Sequence, residues 1–174
     1  MATKKTAMFT LTERITITAA DTDVTATLDL GSYVDVGDRQ ALQVHSVDFI
    51  YQGKTASLPL LSSVGNGQMT IQVTDLNRGA LVFANDRALV ASGQLIHDND
   101  GYLSRESDMY PDNFGKGADD GRYVVNDALY IRGRSSSILT DGEVNVTVRV
   151  NASIVTLSQK DFMAIAIQST AADN

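Results

Sequence analysis

Glu143-Val144-Asn145-Val146-Thr147-Val148-Arg149-Val150-Asn151-Ala152-Ser153-Ile154 alternates polar and apolar residues strictly over twelve positions. A period of two marks a β-strand with one face in a core, because successive side chains leave a pleated backbone on opposite sides. Val144, Val146, Val148, Val150, Ala152 and Ile154 are expected to face inward, and Asn145, Thr147, Arg149, Asn151 and Ser153 outward. The phase then changes, since Val155 and Leu157 are apolar at odd positions. A regular pleat cannot hold both sets on one face, so a bulge or bend is expected at 154–155.

Directly after this run, Leu157-Ser158-Gln159-Lys160-Asp161-Phe162 has the chemistry of a helix start. Ser158 is placed to accept at the N-cap, Asp161 stands at the third helical position, and Leu157 can close on Phe162 as a hydrophobic staple. Residues 158–170 can also be written as a strand, with Met163, Ile165 and Ile167 alternating against Phe162, Ala164 and Ala166. The cap and the alanines favour a short helix in which Phe162, Ile165, Ala166 and Ser169 share a face, widened by Met163 and Ile167.

Working back toward the amino terminus, Phe9, Leu11, Ile15 and Ile17 keep one phase, with Glu13 intruding on it. Val24, Ala26, Leu28 and Leu30 make a second strand after a turn at 19–23. Val34 and Val36 resume the alternation before a turn at Gly37-Asp38. Residues 40–52 read as one strand whose apolar phase slips between Val44 and Val47, which predicts a bulge near His45 and Ser46. Residues 55–67 read as a loop, Met69, Ile71 and Val73 as a short strand, and 88–96 as another, with turns at 77–79 and 85–87 on either side of an apolar stretch at 80–84. Order is expected again from Tyr123 to Arg132, followed by turn chemistry at Asp141-Gly142.

About eight strands joined by short polar turns, with no internal repeat, describe an all-β, single jelly-roll-like sandwich or barrel with a short C-terminal helix. A chain of 174 residues is expected to form one domain, 1–174, with an N-terminal tail at 1–6, a long polar loop insertion at 97–121 and the helix at 158–170. The loop holds Asp98, Asp100, Asp108, Asp112, Asp119 and Asp120, four glycines and one proline without sustained periodicity. It is the expected interaction segment. Tyr102, Tyr110, Phe114 and Tyr123, in or beside it, are candidate interface anchors or packing residues.

Composition excludes several functions. With no cysteine there are no disulfides, no thiolate catalysis and no cysteine zinc sites. A net charge of −7 argues against a dedicated nucleic-acid surface. The acidic residues are 18 Asp and 3 Glu, a skew toward turns and caps that suits an all-β chain. No stretch approaches a membrane-spanning length of apolar residues, and the first residues do not read as a signal peptide.

Candidate chemical sites are sparse. His45 and His97 are the only histidines, no Gly-x-Ser-x-Gly elbow accompanies them, and both are read as structural. Asp98-Asn99-Asp100-Gly101 resembles the opening of a calcium loop, but Met109 stands where a closing glutamate would be, so it reads as a solvated turn. Asn145-Val146-Thr147 and Asn151-Ala152-Ser153 match the glycosylation pattern yet fall within the strand. Catalytic, cofactor-binding and metal residues are therefore expected to be none.

Strand count and layout resemble the single jelly-roll capsid proteins of icosahedral viruses. In that resemblance, 9–17 corresponds to the first barrel strand, 143–154 to the last, and 97–121 to an exposed inter-strand loop. The acidic balance departs from capsids with a basic genome-binding arm and looks more like the upright single-barrel coats of tailless double-stranded DNA viruses. The resemblance implies a structural, non-enzymatic subunit located in the virion that self-assembles as a homo-oligomer, with a second capsid subunit, an internal membrane or a host receptor as partners. The alternative is a carbohydrate- or receptor-binding sandwich that uses 97–121. A cupin-type metalloenzyme is disfavoured, because two histidines cannot supply the usual metal set.

Overall fold

The computed structural model describes residues 2–55, 66–98, 102–109, 121–136, 139 and 142–170. Its strands are β1 (Thr3–Lys4), β2 (Phe9–Ile17), β3 (Val24–Asp29), β4 (Gln40–Gln52), β5 (Gly67–Thr74), β6 (Leu89–His97), β7 (Leu103–Met109), β8 (Arg122–Val124), β9 (Ala128–Ser135) and β10 (Val144–Thr156), followed by helix α1 (Gln159–Thr170). Four antiparallel ladders match the chain from its ends inward: β2 with β10, β3 with β9, β4 with β8, and β5 with β6. This is one long hairpin. Rolling it up sets β10 beside β4 and β9 beside β5, giving a first sheet β2-β10-β4-β8 and a second β3-β9-β5-β6. The chain is therefore a jelly roll of two packed antiparallel sheets, with β7 added to the second sheet and β1 running beside the end of β10.

β10 lies at the centre of the first sheet, and its alternation is realised as expected from Val144 to Ala152; beyond that Ser153, expected outward, is buried and Ile154, expected inward, is only partly buried. Val144, Val146, Val148, Val150 and Ala152 are buried between the sheets with Ile15, Ile17, Val47 and Phe49 from the first and Met69, Ile71, Leu129 and Ile131 from the second. Two glycines of the second sheet make this packing possible. A Cβ on Gly93 would lie 2.6 Å from the Phe49 ring, and one on Gly133 would lie 2.6 Å from Ile15 and 2.7 Å from Ile71. Phe49 and Ile15 of the first sheet thus seat against bare backbone of the second, where Ile71 also closes over Gly133 from the neighbouring strand.

The expected bulge at 154–155 does not exist. β10 pairs regularly from Ala152 to Thr156 with β4, and the register shift lies at Asn151/Ala152, where His45 is the extra residue of β4. The slip read at His45 and Ser46 is real, and it is the bulge. The change of phase in β10 has another cause, since Val155 and Leu157 belong to a second apolar cluster with Ala41, Val125 and Phe162. Here the outer face of the first sheet is covered by α1, so apolar residues are wanted on the opposite side of the same strand.

The helix begins as its sequence predicts. Ser158 Oγ accepts the Asp161 amide at 3.2 Å and donates to Asp161 Oδ2 at 2.7 Å, while Leu157 and Phe162 are both buried in the second cluster. This hydroxyl contact holds the Asp161 carboxyl below its ordinary range. The apolar stripe is narrower than expected: Ile165 and Ala166 pack on the cluster, but Met163 and Ile167 are 54% and 59% exposed.

Three further expectations are corrected. Val34 and Val36 do not continue a strand. Asp35 and Gln40 exchange backbone hydrogen bonds across a tight turn, with Asp35 Oδ1 accepting the Gly37 amide at 2.8 Å, and Val36 is left exposed. The segment 97–121 is not wholly a loop, because β7 pairs along β6 from His97↔Leu103 to Ala91↔Met109. The tail at 1–6 is also tied down: Thr3 and Lys4 pair with Thr156 and Val155, and Thr6 Oγ1 accepts the Ile154 amide. Among the described residues, no helix is long and apolar enough to cross a membrane.

Candidate functional site

The residues singled out by sequence chemistry are not brought together. His45 projects from the bulge of β4, in the first sheet, and its Nε2 lies 2.8 Å from the Ser153 hydroxyl, which itself points toward Gln43 Oε1 at 3.5 Å. Ser153 and Gln43 are buried. Partial burial, with a smaller contribution from Lys4, holds the His45 imidazole below its ordinary pKa. Among the described residues no carboxylate hydrogen-bonds this imidazole, and the Ser153 hydroxyl beside it is buried, so the pair satisfies the polar groups of the bulge. His97 ends β6 in the other sheet, its Nδ1 buried without a hydrogen-bond partner among the described residues.

Asp98 caps the turn into β7. Its Oδ1 accepts the Tyr102 amide at 2.8 Å, and its own amide donates to the Tyr102 carbonyl at 3.1 Å. Asn99, Asp100 and Gly101 lie outside the described residues, as do Tyr110 and Phe114. Among the described residues, no three His, Asp or Glu side chains gather as a cation site. Of the candidate anchors, Tyr102 is 72% exposed beside the β6–β7 turn, and Tyr123 packs against the α1 cluster.

Both glycosylation-pattern asparagines are engaged in the central strand. Asn145 accepts from Thr16 Oγ1 at 2.8 Å and donates to the Gly53 carbonyl at 3.2 Å. Asn151 accepts from Thr10 Oγ1 at 2.7 Å and donates to Ser46 Oγ at 2.8 Å. Their amide nitrogens are spent on cross-strand bonds, so these residues stitch the outer face of the first sheet.

The outer face of the second sheet is built differently. Thr25, Thr27, Tyr130, Arg132, Gln72 and Thr74 line a small recess there, and the β5–β6 connection, residues 75–88, folds back across it. Gln72 holds that connection as a third strand would: its Nε2 donates to the Val82 carbonyl and its Oε1 accepts the Val82 amide, each at 2.8 Å. Asp86 closes the far side by accepting Arg78 Nη2 at 3.2 Å and the Ala88 amide at 2.8 Å, while its own amide donates to the Phe83 carbonyl. At the base, buried Asp75 pairs with Arg122 of β8 at 3.2 Å, and Arg122 also donates to the Arg87 carbonyl. Burial outweighs the Arg122 charge and pushes the Asp75 carboxyl above its ordinary range, with Oδ1 lacking a hydrogen-bond partner among the described residues.

This anchoring leaves Phe83 87% exposed on a segment held from three directions. Burying a phenylalanine ring is worth about 2 kcal/mol, which the fold forgoes at this position. The ring stands at the edge of a cavity of about 310 Å³, whose walls are Gln72, Val82, Ala84, Leu89, Ser92, Gly93 and Gln94. No charged side chain is among these described lining residues. The sequence showed only an apolar stretch at 80–84, which carries no sign of whether its aromatic residue is buried.

The chain matches no known protein-family model, and no curated protein matches it.

Proposed function

We propose that this chain is a structural subunit of a viral shell, a single jelly-roll coat protein that self-assembles and catalyses no reaction. The observation that carries this reading is the complete jelly-roll pairing order, with α1 laid on the outer wall of the first sheet. Further support comes from where large apolar side chains meet solvent: Met8 before β2, Val36 in the β3–β4 turn, Phe83, Tyr102, and Met163 with Ile167 on α1. They lie on five different parts of the chain, as expected of a subunit with neighbours on several sides. The partners in this reading are further copies of the chain, a second coat subunit, and an internal membrane or host receptor. One fold hosts many functions, so the test is assembly itself. Electron microscopy and light scattering of the purified protein should show shells or capsomers, and a monomer at every concentration would overturn the proposal.

A second reading, an attachment module for a receptor or glycan, draws on the exposed Tyr102 beside the β6–β7 turn. It differs from the first in needing no self-association.

A further inference from the structure

We infer that the recess between the second sheet and the 75–88 connection is a binding site for a small oxyanion such as inorganic phosphate or sulfate. The ladders fix its floor. Thr25, Arg132 and Gln72 stand abreast on β3, β9 and β5, and Thr27, Tyr130 and Thr74 form the next row. Asn77 and Arg78 of the connection close over them, so one arginine lines the recess from its floor and another from its roof. No carboxylate is among the lining residues, and the three strands of the floor are described along their whole length. Asp23 takes one N–H of Arg132 at 3.1 Å and Asp86 takes one of Arg78 at 3.2 Å, and both carboxylates stand outside the lining.

The side chains select the ligand class. A guanidinium carries five N–H donors in a planar fork, and Arg132, 17% exposed, has no partner besides Asp23 among the described residues. The hydroxyls of Thr25, Thr27 and Tyr130 have no hydrogen-bond partner among the described residues either. Converging donors with positive charge behind them match the oxygens of an anion and disfavour a cation. The recess has a volume of about 70 Å³, room for roughly five water-sized groups, which is the size of a tetrahedral oxyanion. Thr25, Thr27, Asn77 and Ala80 are exposed at its mouth and leave a way in. The Gln72 clamp on Val82 fixes the roof before any ligand arrives, so little order has to be gained on binding. The inference does not depend on assembly.

The experiment is isothermal titration calorimetry on the whole protein with sodium phosphate and sodium sulfate as probes, at constant ionic strength in chloride. Magnesium chloride is the cation control, and the titrations are repeated on Arg132→Gln, Thr27→Val and Tyr130→Phe. Neither the Thr27 nor the Tyr130 hydroxyl has a partner in the fold, so those two variants should keep the wild-type melting temperature. They keep the test open if Arg132→Gln, which takes a partner from Asp23, is too unstable to titrate. The expected result is saturable binding of phosphate, sulfate or both, weakened roughly tenfold or more in Arg132→Gln and about threefold in each hydroxyl variant. Absence of saturable binding by both anions would overturn the inference and leave the recess to water. Saturable binding of equal strength in wild type and all three variants would also overturn it, by placing the anion elsewhere, and so would binding of magnesium without either anion. Failure of the anion experiment leaves the assembly measurement untouched, so the two proposals fail separately.

Discussion

Val148 and His45 show how differently two residues of the same sheet matter. Val148 is buried at the middle of β10, flanked by Glu13 of β2 and Phe49 of β4. Val148→Asp would place an uncompensated carboxylate between the sheets and should cost about 4 kcal/mol or more, read as a collapse of the urea midpoint. A variant that unfolds like wild type would contradict the register of β10. His45 instead makes the fold sensitive to acid. Its imidazole is held below the ordinary value of 6.5, so the folded state resists a proton that the unfolded chain accepts. Its contribution is therefore present above pH 6.5 and is lost as pH falls from 6.5 toward the folded-state value. Asp75, with its carboxyl pushed up, acts in the opposite sense by favouring the fold as pH falls. The two are separated by comparing variants: His45→Gln should lose less stability between pH 7 and pH 5 than wild type does. Parallel stability curves for the two proteins would remove His45 from the account.

At the scale of elements, α1 and β7 are opposite cases. A helix of 12 residues is marginal in isolation and owes its existence to docking, here on Ala41, Val125 and Val155 of its own chain. Truncation after Leu157 should leave the β-type circular dichroism spectrum intact and remove about 3 kcal/mol of apolar burial, lowering the melting temperature by roughly 6–12 °C. If Met163 and Ile167 meet a neighbouring subunit, the same truncation should also weaken self-association. An unchanged oligomeric state beside a large loss of stability would confine the helix to its own barrel and weaken the coat-protein reading. β7 owes its conformation to a ladder and not to a pattern, since Leu103 and Met109 are its only apolar residues. Charged and polar residues suit a strand at the edge of a sheet, where they oppose pairing with another chain. Glu13, placed on the inward phase of edge strand β2, fits the same need.

For the whole molecule, the ends-inward pairing sets what is near what. It brings Arg122 to Asp75 across 47 positions of sequence and Ser153 to His45 across 108, and it lays residues 75–88 over the second sheet. The proposed assembly rests on surfaces made by this rolling, not on any contiguous motif. The reading of 97–121 as the main interaction segment also changes at this scale, because part of it is a strand of the second sheet; among its described residues Asp98 and Tyr102 of the β6–β7 turn and Ser104 and Arg105 of β7 are exposed.

Sequence alone determined the features whose cause is local. The period of two placed β2, β4 and β10, the slipped phase located the His45 bulge, and the Leu157-Ser158…Asp161-Phe162 spacing set the start of α1. Backbone pleat and helix capping act over a few residues, so their requirements are written in a few residues. Tertiary structure alone decided the rest. Val155 is apolar because a helix covers the far face of its strand, Val36 is exposed because the chain turns between Asp35 and Gln40, and β7 is a strand because β6 offers it hydrogen bonds. Phe83 is exposed because Gln72, ten residues away, takes the backbone of Val82. In each case the deciding partner lies on another element, and alternation along one strand records which faces are buried without recording what buries them.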